Sequence, residues 1–155
     1  MKQVTLLFLL SDNQVLLAMK KRGFGQGKWN GVGGKVEEGE HERDAAIREC
    51  KEEIGVTPHE PRLVGRLHFY ELRDPDFHHY CHIFVADSWE DEPVETEEMR
   101  PRWFHQTGLP YGSMWPDDIL WLPHLLNGRS FEGTITLDGD VVHHHDLTIT
   151  TRSLA

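Results

Sequence analysis

Gly34-Lys35-Val36-Glu37-Glu38-Gly39-Glu40, then seven residues, then Arg48-Glu49-Cys50-Lys51-Glu52-Glu53-Ile54-Gly55-Val56 is the stretch that decides the fold. From about His41 to Ile54 it holds neither Gly nor Pro, and Ala46, Cys50 and Ile54 recur every four residues, which predicts a helix with one narrow apolar stripe. Gly55 is placed to cap the C-terminus, with Val56 packing back on the last turn. On such a helix Glu49, Glu52 and Glu53 stand at i, i+3 and i+4, so three carboxylates leave one face. Bare carboxylates that close repel and raise each other's pKa. A hard divalent cation among the oxygens reverses the sign, and Mg2+ keeps some of its six oxygen positions for water and substrate phosphate. Arg48 lies four residues before Glu52, in reach to orient or neutralise a carboxylate. Glu40, near the helix start, offers another metal ligand or a partner for the free N–H groups there. The glycine-bearing loop lets backbone N–H groups approach an anion. Taken alone, three glutamates on a helix also describe a solvated charged face.

On either side of this stretch the chain reads as strands. Val4–Leu10 and Gln14–Met19 are apolar runs joined by Ser11-Asp12-Asn13, a hairpin pattern. Lys20–Gly34 carries six glycines and a basic cluster and is expected as a loop. Arg62–Leu72 and Tyr80–Asp87 read as strands with a polar loop around Asp74-Pro75-Asp76, and Pro101–Phe104 as a short strand after an acidic loop at 90–98. Pro116 suits the first turn of a second helix reaching about Leu126, where Asn127-Gly128 stop it. Phe131–Leu137 and Val141–Ile149 form a closing hairpin about Asp138-Gly139-Asp140. No repeat and no linker is visible, so residues 1–155 are expected as one domain of α/β class with a mixed sheet.

Sixteen basic against 26 acidic residues give a net charge of −10, which argues against a nucleic-acid polymer as partner, because that affinity comes from basic residues neutralising phosphates. A small phosphorylated ligand is compatible with it when bound divalent metal supplies the positive charge. Cys50 and Cys81, the two cysteines, have no metal spacing and make no disulfide framework. The seven-residue apolar run near the N-terminus is too short to span a bilayer and no small-residue cleavage site follows, so no membrane association and a cytoplasmic compartment are expected.

The quoted stretch resembles the signature of the Nudix hydrolases: Gly, five residues, Glu, seven residues, then Arg-Glu-apolar-x-Glu-Glu-x-Gly-apolar. Gly34, Glu40, Arg48, Glu49, Glu52, Glu53 and Gly55 fill all seven fixed positions, and only Cys50 departs from the usual aliphatic. At residue frequencies of roughly 7%, chance agreement is on the order of one in a hundred million per starting point. A buried free Cys behaves as a small hydrophobe, so the departure costs little. The resemblance implies an α/β/α sandwich whose mixed sheet carries a catalytic loop-helix-loop. It implies attack of water on a phosphorus of a nucleoside diphosphate linked to another moiety. It implies Mg2+, with Mn2+ as a substitute, held by Glu49, Glu52 and Glu53 with Gly33, Glu98 and Glu40 around them. Glu53 and then Glu98 are the candidates for general base, with Arg48 supporting the set.

Similarity extends over Lys20–Gly25, Trp29–Lys35, Glu97–Phe104 and Met114–Asp118 to those members of the family that act on oxidised purine nucleoside triphosphates of the 8-oxo-dGTP type. The resemblance implies a base pocket in which Asn30, Asp117 and Asp118 read the purine edge and Trp115 and Phe24 flank the base. Lys20, Phe69, Gly33, Gly34 and Lys35 complete the substrate contacts. The residue chemistry agrees, since a purine needs apolar faces plus a few convergent polar groups. Two carboxylates serving one base edge do not both ionise cheaply, so one is expected to stay protonated and donate. Against this stands the plain role of Asp117 and Asp118 as acids at a helix start. The resemblance breaks around Phe69–His82, where Glu71 replaces an aromatic and one residue is extra near His78-His79, so it does not fix which oxidised purine is preferred. The runs His78–His82 and His143–His145 are expected as exposed strand residues, because alternation sends neighbours to opposite faces. A pyrophosphatase for a dinucleotide or sugar nucleotide is the alternative enzyme, and a silent nucleotide-sensing module the alternative of another class. A module of that kind typically loses box glutamates, and none is lost here. The expected form is a monomer acting on a small nucleotide.

Overall fold

The computed structural model describes residues 1–154. In chain order the elements are strands β1 (Lys2–Ser11), β2 (Gln14–Lys20) and β3 (Trp29–Asn30), helix α1 (Glu42–Ile54), and strands β4 (Thr57–Pro58), β5 (Arg62–Glu71), β6 (Asp74–Ala86), β7 (Trp89–Glu90) and β8 (Met99–His105). A 3-10 turn at Tyr111–Ser113, helix α2 (Asp118–Leu126) and strands β9 (Ser130–Asp138) and β10 (Val141–Thr150) follow. Eight strands form one mixed sheet in the order β10-β9-β5-β6-β1-β2-β3, with β8 on β2. The pairs β1–β6 and β5–β9 are parallel and the other neighbours antiparallel. β4 and β7 pair separately.

Period-two alternation splits the apolar side chains between the two faces of the sheet. Leu7 and Leu9 of β1, Leu16 and Ala18 of β2, and Phe84 and Ala86 of β6 pack with Ala46, Cys50 and Ile54 of α1. Phe8, Val15, Leu17, Ile83 and Val85, the intervening residues, pack with Trp121, Leu122 and Leu125 of α2. The result is the α/β/α sandwich, each fully buried Leu or Phe contributing on the order of 2 kcal/mol. The α1 stripe read from the sequence is wholly buried, as is Val56. No helix among the described residues is long and apolar enough to cross a membrane.

Three expectations need correction. The residues Asp74-Pro75-Asp76 are not a loop: β5 turns tightly at Leu72-Arg73 and β6 begins at Asp74. The register jumps from Glu71–Asp74 to Tyr70–His78, so Pro75, Asp76 and Phe77 bulge from the ladder, where a Pro without an N–H forfeits no bond. Helix α2 starts at Asp118, two residues after Pro116. The histidines of β6 are not uniformly exposed: His82 is buried, its Nε2 2.8 Å from Gln3 Oε1. Alternation itself holds, since His78 meets His68 on one face and His79 stacks on Phe77 on the other. His143, His144 and His145 are exposed as read.

The hairpin β1–β2 is paired only at Leu10–Val15 and Ser11–Gln14. Beyond those pairs β1 is held on one edge by β6, over eight residue pairs, and on the other by the glycine loop through bridges Val4–Lys35 and Leu7–Val32.

Candidate active site

Helix α1 is fixed at both ends. The N-terminal cap is His41, whose Nδ1 accepts the Arg43 N–H at 3.1 Å; Gly55 closes the C-terminus at φ 75°, donating its N–H to the Lys51 carbonyl. The glycine loop is pressed against the helix and β1. A Cβ on Gly33 would be driven into the Thr5 carbonyl, and one on Gly34 would sit 2.5 Å from the Glu49 carboxyl carbon. This close approach lets the Gly33 N–H donate to Glu53 Oε2 at 3.1 Å. Val32 and Gly34 give their carbonyls to β1, and since successive carbonyls alternate along an extended chain, that of Gly33 faces the other way.

Arg48 organises the carboxylates. Its Nε and Nη2 donate to Glu40 at 2.9 and 3.0 Å, its Nη1 to Glu49 at 2.9 Å and to Glu52 at 3.3 Å, and Nη2 also to the Lys35 carbonyl at 3.0 Å. Glu40 additionally accepts the Glu37 N–H at 3.1 Å, so both its oxygens are engaged and it does not cap the helix. The Arg48 fork holds the Glu40 carboxyl below its ordinary range, with the Glu37 amide assisting. Glu49 goes the other way: burial raises its pKa despite Arg48. Burial pushes Glu53 up to about 8, Glu49 and Glu98 adding to the rise while the Gly33 amide and Lys20 oppose it. Glu98 carries its carboxylate on the surface, 3.3 Å from Arg22 Nη2, and its backbone carbonyl accepts from Lys21.

Among the described residues no three His, Cys, Asp or Glu side chains converge on one point, Glu52 being turned to Arg48 and Glu53 to the loop. The donor set nevertheless suits a hard cation. Two carboxylates on one helix face are held in surroundings that disfavour their charge, and a divalent cation removes that penalty.

Beside the box opens a cavity of about 340 Å³, in the range of small-ligand sites. Lys20, Asn30, Gly33, Gly34 and Lys35 line the side toward the box, so the structure brings these expected residues together. Phe24 and Trp115 form one wall, rings 5.1 Å apart at 35°, with Lys28 Nζ 5.2 Å from the Trp115 ring centre. Phe24 is 69% exposed, a poor core residue and a good lid for a flat ligand. Asn30 Oδ1 accepts the Gly31 N–H at 2.8 Å, which orients its amide.

Asp117 and Asp118 lie at the inner end, each only 2% exposed. Asp117 occupies the cap position of α2 yet makes no cap bond; its Oδ2 accepts from Trp121 Nε1 at 2.8 Å. Asp118 Oδ2 has no hydrogen-bond partner among the described residues. Burial raises both carboxyls, and for Asp118 the neighbouring Asp117 charge raises it further, well above the ordinary carboxylate range. Helix-start acids have no need of such burial. A carboxyl kept neutral and aimed into a cavity is a hydrogen-bond donor waiting for an acceptor.

The opposite wall is the sheet itself. Phe69 of β5, His79 of β6 and Lys2 of β1 stand side by side in register, with Leu67, Cys81 and Val4 in the next row inward. Phe69 was anticipated, whereas Phe77, His79 and Trp121 were not. Trp121 had a signal, being four residues after Asp117 on a helix. Glu71 lies away from the cavity, where its Oε1 accepts the Gly139 N–H of the closing turn at 3.3 Å.

Comparison with known proteins agrees with this geometry. The NUDIX domain family matches residues 1–125. The chain is 45% identical over 147 residues to the oxidized purine nucleoside triphosphate hydrolase of Danio rerio, covering 94% of each. It is 46% identical over 129 residues to the protein of the same name from Mus musculus, covering 83% of this chain and 82% of that one. A solved MutT protein from Bacillus halodurans superposes with a TM-score of 0.85 at 26% identity, over 95% of this chain and 97% of that one.

Proposed function

Because this chain belongs to the Nudix family, we propose that it hydrolyses oxidised purine nucleoside triphosphates of the 8-oxo-dGTP type to the monophosphate and pyrophosphate, using Mg2+ with Mn2+ as a working substitute. Nudix enzymes act on nucleotides with a divalent metal; the choice of substrate rests on Asp118, a buried carboxyl with an unpartnered oxygen facing a purine-sized cavity. Residues beyond 125 belong to the same domain in this reading, because β9 pairs directly with β5.

Glu49, Glu52 and Glu53 would hold the metal, with the Gly33 carbonyl and Glu98 beside them and Glu40 as the anchor of Arg48. When bound, magnesium supplies charge neutralisation along the phosphates and a more acidic water. Lys20 and Lys35 face the phosphates, and the backbone of Gly33 and Gly34 admits them closely. Glu53 takes the proton of the attacking water at its carboxylate, Glu98 being the second candidate. Trp115 and Phe24 cover the base, while Asn30 offers a donor and an acceptor to its edge. The shared proton of Asp117 and Asp118 provides the donor that an ionised pair lacks.

Asp117→Asn and Asp118→Asn test this reading, since each changes donors and acceptors at nearly constant shape. An unpaired buried polar group costs ~1–3 kcal/mol, so kcat/KM for the preferred purine should fall roughly 5- to 150-fold. Cleavage itself should survive, neither residue being in the box. Wild-type KM for oxidised purines should rise on the alkaline side. Burial and the Asp117 charge raise the Asp118 pKa, so the pair keeps a proton to higher pH than ordinary carboxylates do, and that donor is lost as pH climbs through the raised pKa. Equal ratios among 8-oxo-dGTP, dGTP and dATP in all three proteins would return the pair to helix-start acids.

The reading also places a monomeric enzyme in the cytoplasm, drawing on free nucleotides, without a membrane or polymer partner. At net charge −10 it should show no salt-dependent binding to duplex DNA or RNA. Fluorescence anisotropy on a labelled duplex checks this; sub-micromolar affinity at physiological salt would point to the polymer as substrate.

A further inference from the structure

Of the four histidines on the β5–β6 hairpin, three are engaged. His68 Nδ1 and His78 Nε2 lie 2.8 Å apart, and His82 reaches Gln3 and Arg66. His79 is different. It faces the cavity and stacks on Phe77 with ring centres 4.2 Å apart at 22°; neither ring nitrogen makes a hydrogen bond among the described residues. Burial, with the charges of Lys2 and His78 behind it, holds its pKa below the usual imidazole range, so at neutral pH it carries one donor and one acceptor.

Its place along β6 says which part of a ligand it meets. Cys81, on the same face two residues inward, lines the cavity with the carboxyls of Asp117 and Asp118 as its neighbours and so marks its inner end. Two strand residues span about 6.7 Å, close to the length of a purine. A purine with one end at the aspartates therefore brings its other end to His79. That other end is the five-membered ring, because it bears the sugar and the sugar leads out to the phosphates.

We propose that His79 is a specificity-determining residue that hydrogen-bonds the five-membered ring of the purine, so that the site reads oxidation at C8 directly. An 8-oxopurine presents a carbonyl at C8, to which the N–H of a neutral imidazole donates. An unoxidised purine has only C–H at C8, which offers that N–H no acceptor. Oxidation at C2 adds its oxygen to the six-membered ring, at the aspartate end, out of His79's reach. The inference rests on the cavity being the purine site.

Steady-state kinetics with Mg2+ on wild type, His79→Leu and His79→Gln test it, using 8-oxo-dGTP, dGTP, 2-oxo-dATP and dATP. His79→Leu should cut the 8-oxo-dGTP to dGTP ratio of kcat/KM about 5- to 10-fold, the loss of one hydrogen bond. The 2-oxo-dATP to dATP ratio should not change. His79→Gln keeps a donor and an acceptor and should restore part of the first ratio. A His79→Leu protein that keeps the wild-type 8-oxo-dGTP preference, or loses both ratios alike with a lowered Tm, overturns the role of His79 alone. A wild type that prefers neither oxidised purine overturns the purine reading as well, and His79 with it.

Discussion

Glu53→Gln should lower kcat at saturating Mg2+ by at least ~10²-fold, and Glu52→Gln by a comparable factor, because metal-held charge stabilisation supplies most of the rate in this chemistry. Full activity in either variant would remove that residue from the site. The fold should survive, and for Glu53 the metal-free protein gives a second readout. Its folded pKa of about 8 stands above the ordinary 4.5, so between those values the native state holds a proton that the unfolded chain has released. Wild-type stability should thus decline as pH rises from 4.5 toward 8. Gln has nothing to titrate there, and the Tm difference should widen in its favour across that window. A constant difference would mean the Glu53 carboxylate is solvated.

Gly33→Ala should be the most damaging single methyl in the chain. The new Cβ meets the Thr5 carbonyl, a backbone atom of the central strand that has nowhere to go. A clash of this kind costs on the order of 3 kcal/mol or more, a Tm drop of ~6–12 °C for a chain of this size. If the loop yields instead, the Gly33 N–H loses Glu53 and activity should collapse at a smaller Tm cost. Gly112→Ala is the control, since nothing lies within 4 Å of its Cβ, and it should melt within ~2 °C of wild type. Scanning calorimetry beside a pyrophosphate-release assay separates the two outcomes, and a Gly33→Ala protein with both properties intact would contradict the packing described.

Helix α1 was legible from the sequence because its information is local: a Gly- and Pro-free run, an apolar stripe at four-residue spacing and Gly55 in the left-handed region. The carboxylate face follows from the same spacing. Arg48 was expected to serve one carboxylate but reaches three, because the loop folds Glu40 and the Lys35 carbonyl back over the helix start. The beginning of β6 was illegible since Pro75 between two aspartates reads as a turn, and only the bulge against β5 lets it remain in the strand. His79 and Phe77 were missed as cavity residues for another reason. Alternation separates two sets on a strand, but which set faces the cavity depends on the register of β6 between β1 and β5.

Strand β1 carries the glycine loop on one edge and β6 on the other, so the proposed phosphate and base ends of the site are laced to the same backbone. Neighbouring strands stand about 4.8 Å apart whatever their side chains. The length between the sheet wall and the glycine loop is therefore fixed by backbone spacing. Side-chain changes on the sheet wall can alter which base is accepted without altering that length. Changing the length would mean breaking the pairing on both edges of β1, whose Leu7 and Leu9 pack with α1, and so unmaking the core. Substitution can retune this fold's taste in bases far more readily than its reach.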